Sequence, residues 1–249
     1  RVAPSGARVQ GPVTGPAALT PIQAWFFDTP ITVRQHWNQS VLLQPRESLD
    51  PLLLERALQA LVAQHDALRL RFTRDAQGEW QQSHADTAAV PLEQVQVSTP
   101  AQLASVCSIV QAGLNLSEGP LLRGLLLDTG DGQRLLLAAH HLVVDGVSWR
   151  ILLEDLQRAY GQLQAGQALD LGNKSSAFQR WGEVLQAQVP VRLAELDFWR
   201  ATLAPGAVSL PVLDPAGSRR RDQVRECQVR LDEPLTRQLL TRAPQAYRS

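Results

Sequence analysis

The sequence predicts an α/β fold in which helices cover a mixed β-sheet. Three observations support this prediction: a helix start at Asp50-Pro51, two neighbouring apolar runs at residues 121–128 and 134–144, and an amphipathic helix after Gly146. Predicted helices and strands therefore occur in mixed order along the chain. The two apolar runs indicate a hairpin near the centre of a sheet.

The first well-marked helix begins at Asp50-Pro51, because aspartate accepts hydrogen bonds from free N–H groups and proline fits the first helical turn. Apolar residues follow at helical spacing from Leu54 to Val62. The period changes to two at residues 68–72 (LRLRF), which predicts a strand with leucine and phenylalanine on its core face. Arg69 and Arg71 are expected on the opposite face.

The remaining elements are predicted from the same patterns. Residues 121–128 and 134–144 are joined by a Gly- and Asp-containing tetrapeptide, which indicates a tight hairpin. The helix after Gly146 is expected to bury Val147, Ile151, Leu152 and Leu156. Beyond it the patterns predict helices near residues 175–188 and 191–203, a loop at 205–220, a strand near 224–231 and a short helix after Asp232.

Composition limits the classes of function. The formal net charge is zero and the pI is about 7.2, so a nucleic-acid surface is not expected. No apolar run reaches the roughly 18 residues of a membrane helix. Two distant cysteines, Cys107 and Cys227, favour a reducing cytoplasm, and the Arg-rich composition with a single lysine is typical of a GC-rich bacterial genome. Residues 1–18, rich in Gly, Pro and Ala, are predicted to be a linker.

Two adjacent histidines, His140 and His141, end the second apolar run. Neighbouring side chains on a strand point to opposite faces, so the pair cannot easily share one metal ion, and we predict no metal site. One ring is expected to face a cavity and the other the core. Burial of both rings in the core is an equally open interpretation at this point.

Asp145-Gly146 follows the histidines by four residues and precedes a helix. Glycine permits a tight turn there, and the aspartate can cap the helix or pair with Arg69 or Arg71. Such a pair would be structural and would fix the loop that holds the histidine, and we favour this role over that of a catalytic carboxylate. The helix start also directs free N–H groups towards whatever the histidine faces, which suits an oxyanion or an enolate. Ser148 can donate to a ligand or to the helix start.

The motif HHLVVDG matches the HHxxxDG pattern of the condensation-domain superfamily of non-ribosomal peptide synthetases, and QHDALRLRF (64–72) resembles a second motif of that superfamily. Within the superfamily, LTPIQAWFF (19–27), HWNQSVLL (36–43), VSW after the DG, and LLTRAPQAYRS (239–249) look like an epimerization domain.

The resemblance implies two lobes similar to chloramphenicol acetyltransferase, with the active site in a tunnel between them. Residues 19–204 would be the N-terminal lobe, and residues 205–249 the start of a truncated C-terminal lobe. A glutamate expected as the second acid/base group would belong to the missing part of that lobe.

The resemblance also assigns residues and partners. His141 is the expected base for inversion of the Cα of an aminoacyl or peptidyl thioester. The thioester is carried on the 4′-phosphopantetheine arm of an upstream peptidyl carrier protein, and no cofactor is expected to bind directly. Residues expected to be structural at the site are His140, Asp145, Gly146 and Arg69, and those expected to contact ligand are Ser148 and Trp149.

Three other functions would use the same fold. A condensation domain would join two carrier-bound substrates through an amide bond, and a CoA-dependent acyltransferase would use histidine to deprotonate an acceptor hydroxyl. A non-catalytic module would only dock a carrier protein.

Overall fold

The structure is a computed structural model that describes residues 10–204 and 227–247. The chain divides into two compact units, of which the first ends at Leu196 and the second begins at Asp197. The elements of the first unit are β1 (Gly15–Ala17), α1 (Pro21–Asp28), β2 (Asn38–Leu43), α2 (Pro51–Gln64), β3 (Leu70–Arg74), β4 (Trp80–His84), β5 (Leu92–Gln96), α3 (Pro100–Ala112), β6 (Leu122–Thr129), β7 (Gly132–His140), α4 (Gly146–Gln164), α5 (Phe178–Ala187) and α6 (Val189–Leu193). Helix α7 (Leu196–Thr202) starts at the boundary, and α8 (Glu233–Tyr247) lies in the second unit.

A four-stranded sheet in the order β2-β7-β6-β5 forms the centre of the first unit. Strands β5 and β6 are parallel and the other pairs are antiparallel, which confirms the predicted mixed sheet. The predicted hairpin is β6–β7, where Thr129 pairs with Gly132 across a two-residue turn.

Helices cover both faces of this sheet, which explains the unbroken apolar and buried runs at residues 124–127 of β6 and 135–139 of β7. Leu135, Leu137 and Ala139 of β7 pack in one cluster with α2 and α4. Leu136, between them in sequence, packs with α3 in a separate cluster. The alternation of side chains along a strand divides one apolar run between two cores.

A smaller antiparallel sheet in the order β1-β4-β3 uses part of the predicted linker. Gly15 pairs with His84, and Val13 is buried. The prediction of a linker is therefore wrong for residues 13–17; residues 1–9 lie outside the described part of the chain. Composition misled the prediction because β1 is an edge strand, where proline is tolerated.

The strand predicted at residues 68–72 begins later than expected. Residues Asp66–Arg69 form a 3-10 turn, and β3 starts at Leu70. Arg69 is buried rather than on a solvent face, because its guanidinium donates to four backbone carbonyls and to Asp66. Alternation alone cannot reveal an arginine whose partners come from distant segments.

Helix α4 buries a different stripe from the one predicted. Leu152 and Leu156 are buried as expected, but Val147 and Ile151 are 62% and 45% exposed. Trp149 begins the buried stripe, which continues through Leu152, Leu156, Ala159 and Leu163. The stripe has the three-and-four spacing of a helix that packs along one seam.

The C-terminal predictions have mixed outcomes. Three helices, α5, α6 and α7, replace the two that were expected. The predicted loop at 205–220 and residues 224–226 of the predicted strand lie outside the described residues. Residues 227–232 carry no regular secondary structure, and the helix after Asp232 is 15 residues long rather than short.

Candidate active site

The two histidines lie at the end of β7, where the chain leaves an interior strand of the sheet. His140 is the last residue of β7, and a turn then leads to Asp145, the residue before α4. His141 has its backbone N–H bonded to the Trp37 carbonyl, 2.9 Å away. The start of the turn is thus tied to the segment that precedes β2.

His140 is a structural residue with both ring nitrogens occupied. Nε2 lies 2.8 Å from the carbonyl of Arg34, and Nδ1 accepts from the N–H of Leu142 at 3.1 Å. A carbonyl only accepts and a backbone N–H only donates, so the ring is neutral with its proton on Nε2. The ring is fully buried and meets Phe26 edge to face. Burial lowers the pKa of His140 to about 4.

This buried neutral ring predicts that acid begins to destabilise the chain near pH 6.5, before most carboxylates take up a proton. In the unfolded chain His140 takes up a proton near pH 6.5, whereas in the folded chain it does so near pH 4. The unfolded state therefore binds more protons between these values, and the free energy of unfolding falls as the pH drops through that window. His140 alone accounts for about 3 kcal/mol, and His84, whose pKa burial also lowers, adds in the same direction.

Urea unfolding at pH 7.5, 6, 5 and 4.5 measures the loss, and a proton NMR titration of the His140 ring assigns its share. The ring is expected to stay neutral down to about pH 4. A His140 ring that takes up its proton near pH 6.5, as an ordinary imidazole does, would contradict this expectation.

His141 is exposed, in contrast to its neighbour. Its Nδ1 lies 2.8 Å from the carbonyl of Val144, and its Nε2 lies 3.3 Å from the side-chain nitrogen of Gln39. The prediction that one histidine faces the core and the other a cavity is confirmed, because His141 lines an open pocket of about 720 Å³.

The pocket is mainly apolar. Its walls come from α1, from the turn after β7, from the first turn of α4 and from α5. Aromatic side chains on these walls are Trp25, Phe26, Trp37, Phe178 and Trp181. An imidazole at an apolar wall that solvent still reaches can exchange protons with a bound molecule, as a general base requires.

Asp145 caps α4 and pairs with neither arginine proposed from the sequence. Its Oδ1 accepts from the backbone N–H of Ser148 at 2.8 Å and from the Ser148 hydroxyl at 2.7 Å. These hydrogen bonds lower the pKa of Asp145. Since a carboxylate already occupies this helix N-terminus, the oxyanion role predicted for it is not supported.

Arg69 has its own partners away from the pocket. Its guanidinium forms an ion pair with Oδ1 of Asp66 at 2.7 Å, and the same oxygen forms a second ion pair with Nζ of Lys174 at 2.9 Å. The pairing of Arg69 with Asp145 is therefore wrong, and so is the expectation that Arg69 supports the histidine loop directly. Arg71 donates to the carbonyl of Leu70.

Three further predicted site residues, Gly146, Ser148 and Trp149, lie in the first turn of α4, and their predicted roles have different outcomes. Ser148 lines the pocket and donates its hydroxyl to Asp145, which matches the role predicted for it at the helix start, and contact with a ligand stays a prediction. Trp149 is buried, is absent from the pocket wall and donates its indole N–H to Gln39 at 3.1 Å. Gly146 is exposed, and an added Cβ would meet nothing within 4 Å, so its position does not require glycine.

Sequence reasoning missed Gln39, which contacts both His141 and Trp149. It lies about a hundred residues before the histidines, and no local pattern marks it. Gln39 comes close to His141 because β2 pairs with β7: Asn38 lies opposite His140, and Gln39 lies opposite Ala139. The segment HWNQSVLL (36–43) contains Gln39, but its resemblance to epimerization domains does not single out this residue.

The described residues meet neither the requirements of a metal site nor those of a membrane-spanning helix. They contain no cluster of three or more His, Cys, Asp or Glu side chains that could hold a metal ion. Among the same residues, no helix is both long and apolar enough to cross a membrane.

Comparison with known proteins gives consistent results. The family model described as Condensation domain matches residues 13–248. Surfactin synthase subunit 1 of Bacillus subtilis (strain 168) is 38% identical over 247 residues, which cover 96% of this chain and 7% of that protein. Tyrocidine synthase 1 of Brevibacillus parabrevis is 36% identical over 254 residues, 96% of this chain and 23% of that protein. The chain thus spans a small fraction of these curated relatives.

Solved structures share the fold. The epimerization domain from the third module of tyrocidine synthetase B is 34% identical, with a TM-score of 0.87 over 98% of this chain and 56% of that chain. The starter condensation domain of rhizomide synthetase is 21% identical, with a TM-score of 0.62 over 76% of this chain and 48% of that chain. The fold expected from the resemblance, similar to chloramphenicol acetyltransferase, is confirmed. This chain belongs to the condensation-domain family of the non-ribosomal peptide synthetases.

Proposed function

We propose that this chain is the N-terminal part of an epimerization domain, which inverts the Cα of an aminoacyl or peptidyl thioester held on a peptidyl carrier protein. The observation that carries the proposal is the exposed His141 ring, which lines an open and mainly apolar pocket. Similarity to a solved epimerization domain, at 34% identity, supports the choice within the family.

The chemistry needs one base on this lobe. A thioester acidifies its Cα–H, so a neutral imidazole can remove that proton and leave an enolate. Nε2 of His141 is the atom for this step, because Nδ1 is bonded to the carbonyl of Val144. The proton must then return to the opposite face of the enolate, and a second acid/base group would supply it.

We assign that second group to the rest of the domain. The chain spans 56% of the matched epimerization-domain chain, so about half of such a domain lies beyond the matched part. We further propose that residues 205–249 begin this second lobe. The phosphopantetheine arm of the carrier enters as part of the substrate.

Amide-bond formation between two carrier-bound substrates is the second candidate. It is favoured by the matching family model, which is that of condensation domains. It would place the same His141 beside an attacking amine instead of a Cα–H.

The two candidates separate in an assay of the parent protein with one loaded carrier. The aminoacyl group is released after incubation, and its D-to-L ratio is measured by chiral chromatography. An epimerase turns a pure L-aminoacyl carrier into a D,L mixture without an acceptor. An unchanged L-aminoacyl group, with amide product once a second loaded carrier is added, would establish condensation instead. Turnover of free acyl-CoA would point to an acyltransferase.

A further inference from the structure

We propose that Gln39, locked in place by Trp149, is a positioning residue that keeps Nε2 of His141 free of a proton. The inference deepens the proposed function, since it rests on His141 being the base. It concerns which nitrogen carries the imidazole proton, and this can be measured without turnover.

The orientation of the Gln39 side-chain amide is set by Trp149. An indole N–H can only donate, so the atom 3.1 Å from Nε1 of Trp149 must be the amide oxygen. The two ends of an amide are otherwise hard to tell apart, and the indole removes that ambiguity. The NH₂ end of Gln39 is therefore the end that faces Nε2 of His141, at 3.3 Å.

The partners of the His141 ring favour one tautomer. An NH₂ group can only donate, so the amide of Gln39 favours a lone pair on Nε2. The opposite side of the ring gives the same answer independently, because Nδ1 lies 2.8 Å from the carbonyl of Val144, which accepts a proton and cannot donate one. Two partners on opposite sides of the ring thus favour the tautomer with the proton on Nδ1.

Gln39 and Trp149 are both held in place by regular secondary structure. Gln39 sits in β2 and pairs with Ala139 of the interior strand β7. Trp149 belongs to α4, is 8% exposed and packs in the core cluster that α4 shares with α2 and β7. The contact between Gln39 and His141 is long for a hydrogen bond, so a substrate C–H can replace it at small cost.

The neighbouring ring of His140 provides a contrast, because it carries its proton on Nε2. Adjacent imidazoles thus hold opposite tautomers, each set by its own neighbours. An amide turned the other way at Gln39 would offer oxygen to Nε2 of His141 and draw a proton onto the atom that must accept one.

The test is a long-range ¹H–¹⁵N correlation spectrum of this chain with ¹⁵N-histidine, recorded at about pH 8. Wild type is expected to show the His141 proton on Nδ1. Gln39→Glu keeps an oxygen for Trp149 but turns an acceptor towards Nε2, so Nε2 is expected to carry a proton while Nδ1 keeps the proton that it donates to the carbonyl of Val144. Gln102→Glu is the matched control: it is exposed, and its oxygen already accepts from Ser98. This control should leave the His141 signals unchanged.

Trp149→Phe is the second variant, because it removes the indole donor and releases the amide of Gln39. A mixture of His141 tautomers is expected. The same variants in the parent protein are measured for Cα inversion, where Gln39→Glu should lose about 10²-fold or more.

The two readouts separate the inference from the proposed function. A wild-type His141 proton on Nε2, or a Gln39→Glu spectrum identical to wild type, would overturn the inference whatever the parent protein catalyses. Absence of Cα inversion by wild type, with the tautomers as expected, would instead remove the proposed function and leave the positioning of the ring intact.

Discussion

Replacing His141 by alanine in the parent protein is expected to lower the rate of Cα inversion by about 10²–10⁴-fold, the range that a positioned general base contributes. The expectation follows from three features of one side chain: the ring is exposed, it lines the pocket, and its Nδ1 is bonded to the carbonyl of Val144. Because the ring is exposed and not part of a core cluster, folding should survive the change.

The matched control is His36→Ala, which removes an exposed imidazole from the 3-10 turn before β2. Its inversion rate should equal that of wild type. Rates are taken from the D-to-L ratio over time on a single loaded carrier, with circular dichroism to verify folding. Wild-type inversion by a folded His141→Ala variant would show that another group is the base.

The largest loss of stability is expected from Arg69→Met. Arg69 is 2% exposed and donates to the carbonyls of Val13, Val62, Ala63 and Ala85 as well as to Asp66. Removing one partner of a buried ion pair leaves an incompletely compensated charge, at a cost of about 3–5 kcal/mol. The lost hydrogen bonds to carbonyls act in the same direction.

The electrostatics of Asp66 explain why the pair matters. Burial would raise the pKa of Asp66, but hydrogen bonds from Lys174 and Arg69 outweigh it, and the net pKa lies below the usual value. This carboxylate therefore stays ionised inside the protein because two cations hold it. Without Arg69, Lys174 alone must compensate the charge.

Urea unfolding at neutral pH measures the difference, with Arg180→Met as control. Arg180 forms a pair with Glu183 at 2.8 Å, but both side chains are exposed, so a loss of at most about 1 kcal/mol is expected. Equal losses in the free energy of unfolding of the two variants would mean that the buried Arg69 pair stabilises the fold no more than an exposed pair does.

The parts of the fold that were predictable from sequence carry their signals locally. Asp50 before Pro51 marks the start of α2, and its carboxylate accepts from the N–H of Leu52 as expected. The apolar runs around Thr129 and Gly132 predict a hairpin because both strands are buried on two faces. The cap role of Asp145 was one of two alternatives, and only the structure could choose between them.

The parts that were not predictable depend on contacts between distant segments. Arg69 is drawn inward by Val13 and Ala85, so its alternation with apolar neighbours gave the wrong face. Gln39 reaches His141 only because β2 pairs with β7. Motif resemblance located the histidines, but it contains no information about which side chains orient them.

Movement of the Cα proton of a carrier-bound thioester by His141 is the central claim, and solvent deuterium tests it most directly. The parent protein, with a single aminoacyl carrier in D₂O, should place deuterium at Cα without any second carrier, and His141→Ala should stop the incorporation. Mass spectrometry of the released amino acid reads the result. No deuterium at Cα under conditions in which the same preparation forms amide bonds would contradict the claim.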